Sequence, residues 1–183
     1  PPKKPFFLAA GIYRPHLPFY APRKYFEMYP PDKITLPPTK ADDLDDLPEA
    51  GKEMAAVRRG DYELVMKSGK YRELLQAYLA SVSFGDALVG RLLDALDASP
   101  AAKNTIIVFW SDHGEMAGAH GLRQKGPVTY KENSRVPLIV SHPDVSGGRT
   151  VDNLGSALDL VPTLVGLATE GKTTTDTPGV DLS

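Results

Sequence analysis

The sequence predicts an α/β layered fold with a largely parallel central sheet flanked by helices. Three short apolar runs, at residues 5–12, 104–110 and 136–140, are interleaved with a long helical period between Lys70 and Ala98. Strands separated by helices in this manner stack as a sheet with helices on its faces. Two polar clusters, at 13–16 and 111–125, each follow an apolar run, and ligands in such sheets gather at the carboxyl ends of the strands.

The elements follow in order. Pro5 to Ile12 (Pro-Phe-Phe-Leu-Ala-Ala-Gly-Ile) is continuously apolar, as a strand buried on both faces should be. Three prolines then break Tyr13–Pro22 into a loop, and Tyr25–Tyr29 fits one aromatic helical turn. Residues 30–50 are proline-rich and then acidic (Asp42-Asp43-Leu44-Asp45-Asp46), the pattern of a solvated surface loop. Between Lys70 and Ala98, Leu74, Tyr78, Val82, Gly85, Val89, Leu92 and Leu96 recur every three or four residues. That spacing places them on one face of a core-packing helix, which Ser99-Pro100 ends. Asn104–Trp110 and Val136–Val140 read as two further strands. Asp159–Ala168 reads as a helix with Asp159 at its N-cap and Pro162 in its first turn. The tail from Gly171 is polar and aperiodic.

Composition narrows the function classes. The 183 residues suffice for one domain with a core, 42% are hydrophobic, and the formal net charge is −2. That balance gives no field to attract nucleic acid or an anionic membrane, and no apolar run approaches the roughly 20 residues of a membrane span. Cysteine is absent, which removes disulfides and thiolate chemistry.

The densest polar cluster is Ser111-Asp112-His113-Gly114-Glu115, followed by His120-Gly121 and Lys125. Asp112 and His113 leave a strand end together, and Gly114 gives the backbone freedom to turn there. A carboxylate oxygen and an imidazole nitrogen suit a divalent cation such as calcium, magnesium or manganese; a hydrogen-bonded Asp–His pair capping a loop satisfies the same pattern. Lys125 is either a surface lysine or a positive charge for an anionic substrate group. His16, held between Pro15 and Leu17-Pro18, is either structural or a proton-exchanging group. Taken jointly, a cation site, a proton donor and a lysine at strand ends suit an ester carrying a tetrahedral anion.

The same residues carry a family resemblance. Lys4-Pro5-Phe6-Phe7-Leu8-Ala9-Ala10-Gly11, Arg14-Pro15-His16-Leu17-Pro18-Phe19 and Ala21-Pro22-Arg23-Lys24-Tyr25 match in order. They are followed by Tyr78–Phe84, Gly90–Leu96, Asn104–Glu115, His120-Gly121, Lys125, Arg135–Val140 and Asp159–Leu164. In these blocks the sequence resembles the sulfatases of the alkaline phosphatase superfamily, and among them the iduronate-2-sulfatase-like group. The resemblance implies that family's layered α/β fold. It implies a sulfated small molecule or carbohydrate as substrate, and hydrolysis of a sulfate ester. Asp112 and His113 match two metal ligands, for Ca2+ most often, with Mg2+ or Mn2+ as alternatives. Lys125, thirteen residues after Asp112, matches the sulfate-contacting lysine, and His16 the histidine at the sulfate and leaving-group side. A phosphonate or phosphate ester hydrolase of the same superfamily, or a non-catalytic anion- or partner-binding domain, is the alternative.

The departures set a further expectation. The family's nucleophile is a formylglycine made from Cys or Ser in a Cys/Ser-x-Pro/Ala-x-Arg motif, and residues 1–183 contain no such motif. The family's early Asp-Asp metal pair is missing as well, since Asp42-Asp43 and Asp45-Asp46 follow the His16 block. The expectation is a middle-to-late part of a sulfatase catalytic domain over 1–183, without the nucleophile segment and the C-terminal subdomain. On that expectation the chain alone does not turn over, and it associates with itself or with the missing N-terminal part. Family membership implies secretion or the periplasm.

Overall fold

The computed structural model describes residues 4–126 and 128–182. The chain divides into two compact units, Pro1–Pro143 and Asp144–Ser183.

In the first unit the helices α1 (Arg23–Phe26), α2 (Glu49–Ser68) and α3 (Tyr71–Asp97) precede strand β1 (Ile107–Trp110), the short helix α4 (Lys131–Ser134) and strand β2 (Leu138–Ser141). Helix α3 falls where the apolar period places it and acts as the spine. The proline-rich segment before it packs along it: Phe19 meets Tyr78 edge-on at 5.5 Å and Tyr25 lies 5.4 Å from Phe84. Tyr29 Oη and Ser83 Oγ share a hydrogen bond of 2.6 Å, and Gln76 donates to the Phe26 carbonyl at 3.0 Å. The irregular segment is therefore ordered by side chains that satisfy its unpaired backbone.

The buried stripe of α3 is narrower than the period predicts. Tyr71, Leu75, Ala80, Ser81 and Gly85 are buried, whereas Val82 and Leu92 are exposed. Among the described residues α3 packs against α1, the turn Pro31–Lys33 and α2, and no residue of α3 after Gly85 is buried. Ile34, Tyr71 and Leu75 form one small core with Tyr29, Leu36, Tyr62 and Ala117 packed against it. A second core gathers Ala55 of α2 with Met116, Leu122 and Val128. Helix α2 has no counterpart in the sequence reading. It buries only Ala55, so it carries no long apolar stripe for periodicity to detect.

One expectation about the sheet is corrected, and one strand pairing is added to it. Pro5–Ile12 forms no strand: the segment is irregular and largely exposed, with Phe7 78% and Leu8 73% accessible. Its apolar residues fit a strand, but no neighbouring strand pairs with it among the described residues, and an unpaired segment has no ladder. The two strands that do form are antiparallel, with Ile107 opposite Ser141 and Trp110 opposite Leu138. A parallel pair needs a crossover long enough to bring the chain back to the same end, usually a packed helix. Among the described residues, 111–137 hold no helix longer than the four-residue α4 and the helical turn Ala119–Gly121, too little for such a crossover, and the chain returns directly.

In the second unit α5 (Leu160–Thr169) follows a helical turn at Ala157–Asp159. Asp159 stands at the N-cap position of α5, as expected, but its side chain makes no capping hydrogen bond to that helix. Ser156 caps the preceding turn, and Asp159 completes a reciprocal capping box by accepting from the Ser156 N–H at 2.7 Å. Its other oxygen accepts from the Val180 N–H at 2.9 Å, which fastens the aperiodic tail.

Candidate active site

The loop after β1 turns sharply, and Gly114 makes the turn possible. A Cβ there would lie 2.0 Å from the Glu132 carbonyl oxygen, so the Gly114 backbone rests directly on α4, where its N–H donates to the Asn133 carbonyl at 2.7 Å. The turn puts Asp112 and His113 side by side. Asp112 Oδ2 lies 3.6 Å from His113 Nε2, while Asp112 Oδ1 accepts from the His113 N–H at 3.0 Å. His113 Nδ1 lies 2.8 Å from the Gly114 carbonyl. A carbonyl only accepts, so Nδ1 carries the proton and the Nε2 lone pair faces the carboxylate side. Asp112 is 82% exposed and His113 34%. A bare imidazole nitrogen whose other N–H is held by a carbonyl, beside a free carboxylate oxygen, is a donor set that fits a divalent cation. Among the described residues no group of three or more His, Asp or Glu side chains is arranged around a metal position.

His16 and Lys125 meet across 109 residues of chain. The His16 turn is fixed by its own hydrogen bonds: the His16 N–H donates to the Tyr13 carbonyl at 3.0 Å, and Arg14 donates to the Pro18 carbonyl at 2.8 Å. The peptide bonds before Pro15 and Pro18 are cis. His16 Nδ1 lies 2.6 Å from the Leu17 carbonyl, which again fixes the proton on Nδ1. The lone pair at Nε2 receives the Lys125 ammonium at 2.5 Å. His16 is exposed and Lys125 half-buried, and no hydrogen bond or ion pair links this pair to Asp112 and His113 among the described residues.

The loop between the two pairs is locked from inside. Glu115 Oε1 accepts from the Ala117 N–H at 3.1 Å and from the Gln124 N–H at 2.6 Å, closing residues 115–124 into a compact turn. Tyr71 donates to the Ala117 carbonyl at 2.8 Å. Burial, followed by the neighbouring Tyr62, pushes the Tyr71 phenol up to about 12.

His120 joins this arrangement through a partner that the sequence reading places in solvent. His120 Nδ1 donates to Asp43 Oδ2 at 2.6 Å, Nε2 lies 3.6 Å from Glu132 Oε2, and the ring stacks on Tyr130 at 4.0 Å. Asp43 is thus not part of a free acidic loop. The reason is the half-buried imidazole across from it, which a run of aspartates in the sequence does not disclose. Asn133 and Glu132 were likewise silent in the sequence, since neither sits in a spacing that signals chemistry.

Fold and site together define a chain of the alkaline-phosphatase-like α/β class. The family model named Sulfatase matches residues 1–170, and the chain belongs to the sulfatase family. A sulfatase of Formosa agariphila is 42% identical over 167 residues, covering 91% of this chain and 33% of the relative. The iduronate 2-sulfatase of Homo sapiens is 40% identical over 156 residues, covering 80% of this chain and 27% of that protein. The solved structure of a phosphonate monoester hydrolase from Silicibacter pomeroyi superposes with a TM-score of 0.72 at 26% identity, covering 92% of this chain and 35% of that one. The chain spans about a third of the length of the curated relatives it matches. No helix among the described residues is long and apolar enough to cross a membrane.

Proposed function

We propose that the chain supplies the cation and anion side of a sulfuric ester hydrolase active site, and that the complete protein hydrolyses a sulfated carbohydrate or similar small sulfate ester. The observation that carries this reading is the meeting of Lys125 with His16 Nε2 at 2.5 Å in a family member whose same loop, after β1, presents Asp112 and His113. An ammonium beside a ring nitrogen gives an anion a counter-charge and gives a departing oxygen a proton relay.

In this reading Lys125 donates to a sulfate oxygen and offsets its charge. His16, with Nδ1 held by Leu17, orients Nε2 toward the bridging oxygen; once the sulfate draws the Lys125 ammonium away, Nε2 takes a proton from solvent and, as an imidazolium, passes it to the leaving alcohol. Asp112 Oδ2 and His113 Nε2 would hold a divalent cation, Ca2+ being the first choice, together with ligands from outside these residues. When bound, it withdraws charge from the sulfate. The nucleophile would be a formylglycine from outside residues 1–183. These residues therefore do not turn over by themselves.

A phosphonate or phosphate ester is the second substrate reading, favoured by the phosphonate monoester hydrolase superposition. Assaying the complete protein on a sulfate, a phosphate and a phosphonate ester of one alcohol separates them. The sulfatase reading expects the highest kcat/KM on the sulfate ester; a preference for the phosphorus esters overturns it, and no turnover of any ester leaves an anion-binding domain.

A further inference from the structure

Helix α4 touches both halves of the site. On one side the Gly114 N–H, next to His113, donates to the Asn133 carbonyl at 2.7 Å. On the other, Asn133 Nδ2 donates to the Gly126 carbonyl at 3.3 Å and the Val128 carbonyl at 2.8 Å, and Gly126 follows Lys125. Two carbonyls facing one atom assign that atom as the amide NH2. The orientation leaves Asn133 Oδ1 buried with no hydrogen-bond partner. An orphaned amide oxygen is costly, so the two donations outweigh the alternative in which the amide is flipped.

We infer that Asn133 is a positioning residue that fixes where Lys125 stands relative to Asp112 and His113. The division of labour is specific. The tie toward His113 uses the Asn133 backbone and survives any side-chain change, whereas the tie toward Lys125 uses the amide and is lost on truncation. Asn133→Ala therefore weakens the anion contact and leaves the cation contact intact. Asn133→Asp replaces the donors with a carboxylate facing two carbonyls and acts more strongly in the same direction.

The inference rests on Lys125 as the anion contact proposed above, and inorganic sulfate tests it without turnover. In the complete protein, calorimetry is expected to show sulfate affinity reduced about ten-fold by Asn133→Ala and further by Asn133→Asp, the scale of one or two lost hydrogen bonds. Calcium affinity stays within two-fold. In a Lys125→Ala background the Asn133→Ala loss shrinks to under two-fold, because the lysine it positions is gone. Equal losses with and without Lys125, or a parallel fall in calcium affinity, overturn the inference. If Asn133→Ala melts below the assay temperature, Asn133→Ser, which keeps one donor, takes its place with the same criteria. Sulfate binding through Lys125 in a protein that hydrolyses no sulfate ester sinks the hydrolase reading alone; no sulfate binding by the parent protein sinks both.

Discussion

The Lys125 ammonium stands 2.5 Å from His16 Nε2, joining the loop that follows β1 to a proline-bounded turn near residue 16. The proposed hydrolase reading gives the two groups separable tasks on a sulfate ester, and leaving-group dependence distinguishes them. In the complete protein Lys125→Ala is expected to cost about 10²–10³ in kcat/KM on every ester, since charge stabilisation is needed whatever the alcohol. His16→Ala is expected to cost about 10²–10⁴ on an aliphatic sulfate but little on a nitrophenyl sulfate, whose leaving group needs no proton. Equal losses for His16→Ala on both esters would remove the proton-transfer role.

Asp112 and His113 leave two readings open in the sequence, a cation site and a loop cap, and substitution separates them. For a cation site, Asp112→Ala and His113→Ala each reduce calcium affinity by at least about ten-fold, with little change in melting temperature in the absence of calcium. For a loop cap the melting temperature falls and calcium affinity does not change. The 82% exposure of Asp112 favours the first outcome, because a carboxylate that open adds little to stability.

The clamp of Asp43 on His120 joins two segments 77 residues apart, with side chains 22% and 29% exposed. A double-mutant cycle on Asp43→Ala and His120→Ala should give a coupling of about 0.5–2 kcal/mol in denaturant melts. Additivity within about 0.3 kcal/mol would make the contact energetically idle.

How legible the site was in the sequence follows from where each constraint lies. Asp112, His113 and Lys125 stand out as candidates because chemistry-bearing residues crowd the exit of an apolar run, and helix α3 stands out because a long apolar period has few other causes. Helix α2 escaped because its burial rests on Ala55 alone. The sheet was misjudged at Pro5–Ile12 because apolarity signals burial but does not supply a partner strand. The Asp43–His120 and Lys125–His16 contacts span 77 and 109 residues. No local pattern encodes pairings of that range, and Asn133 acts through a side-chain amide and a backbone carbonyl that any residue order conceals.

The exposed apolar side chains Phe6, Phe7, Leu8, Ile139 and Val140 give residues 1–183 a surface that favours association. Sedimentation of these residues alone at micromolar concentration should show species larger than a monomer, dispersed when Phe7 and Leu8 are both changed to Ser. A single monomeric boundary in the unaltered chain would contradict this.

Tyr71 and Gly118 pack closely in the first unit. A Cβ on Gly118 would fall 1.5 Å from Tyr71 Oη, and the Gly118 φ of +102° is in the left-handed region. Gly118→Ala therefore incurs both backbone strain and a clash, an expected loss of about 2–4 kcal/mol in denaturant melts. Tyr71→Phe removes the hydrogen bond to the Ala117 carbonyl and should cost about 1–2 kcal/mol at neutral pH. The phenol also sets an alkaline limit. Its folded value is raised to about 12, mainly by burial, so the neutral ring stabilises the fold fully below the ordinary tyrosine value of about 10. That contribution is lost as the pH rises through 10 toward 12, because the unfolded chain releases the proton first. Melting temperatures measured from pH 8 to 12 should fall more steeply for the parent chain than for Tyr71→Phe; parallel slopes would show that another group controls alkaline unfolding.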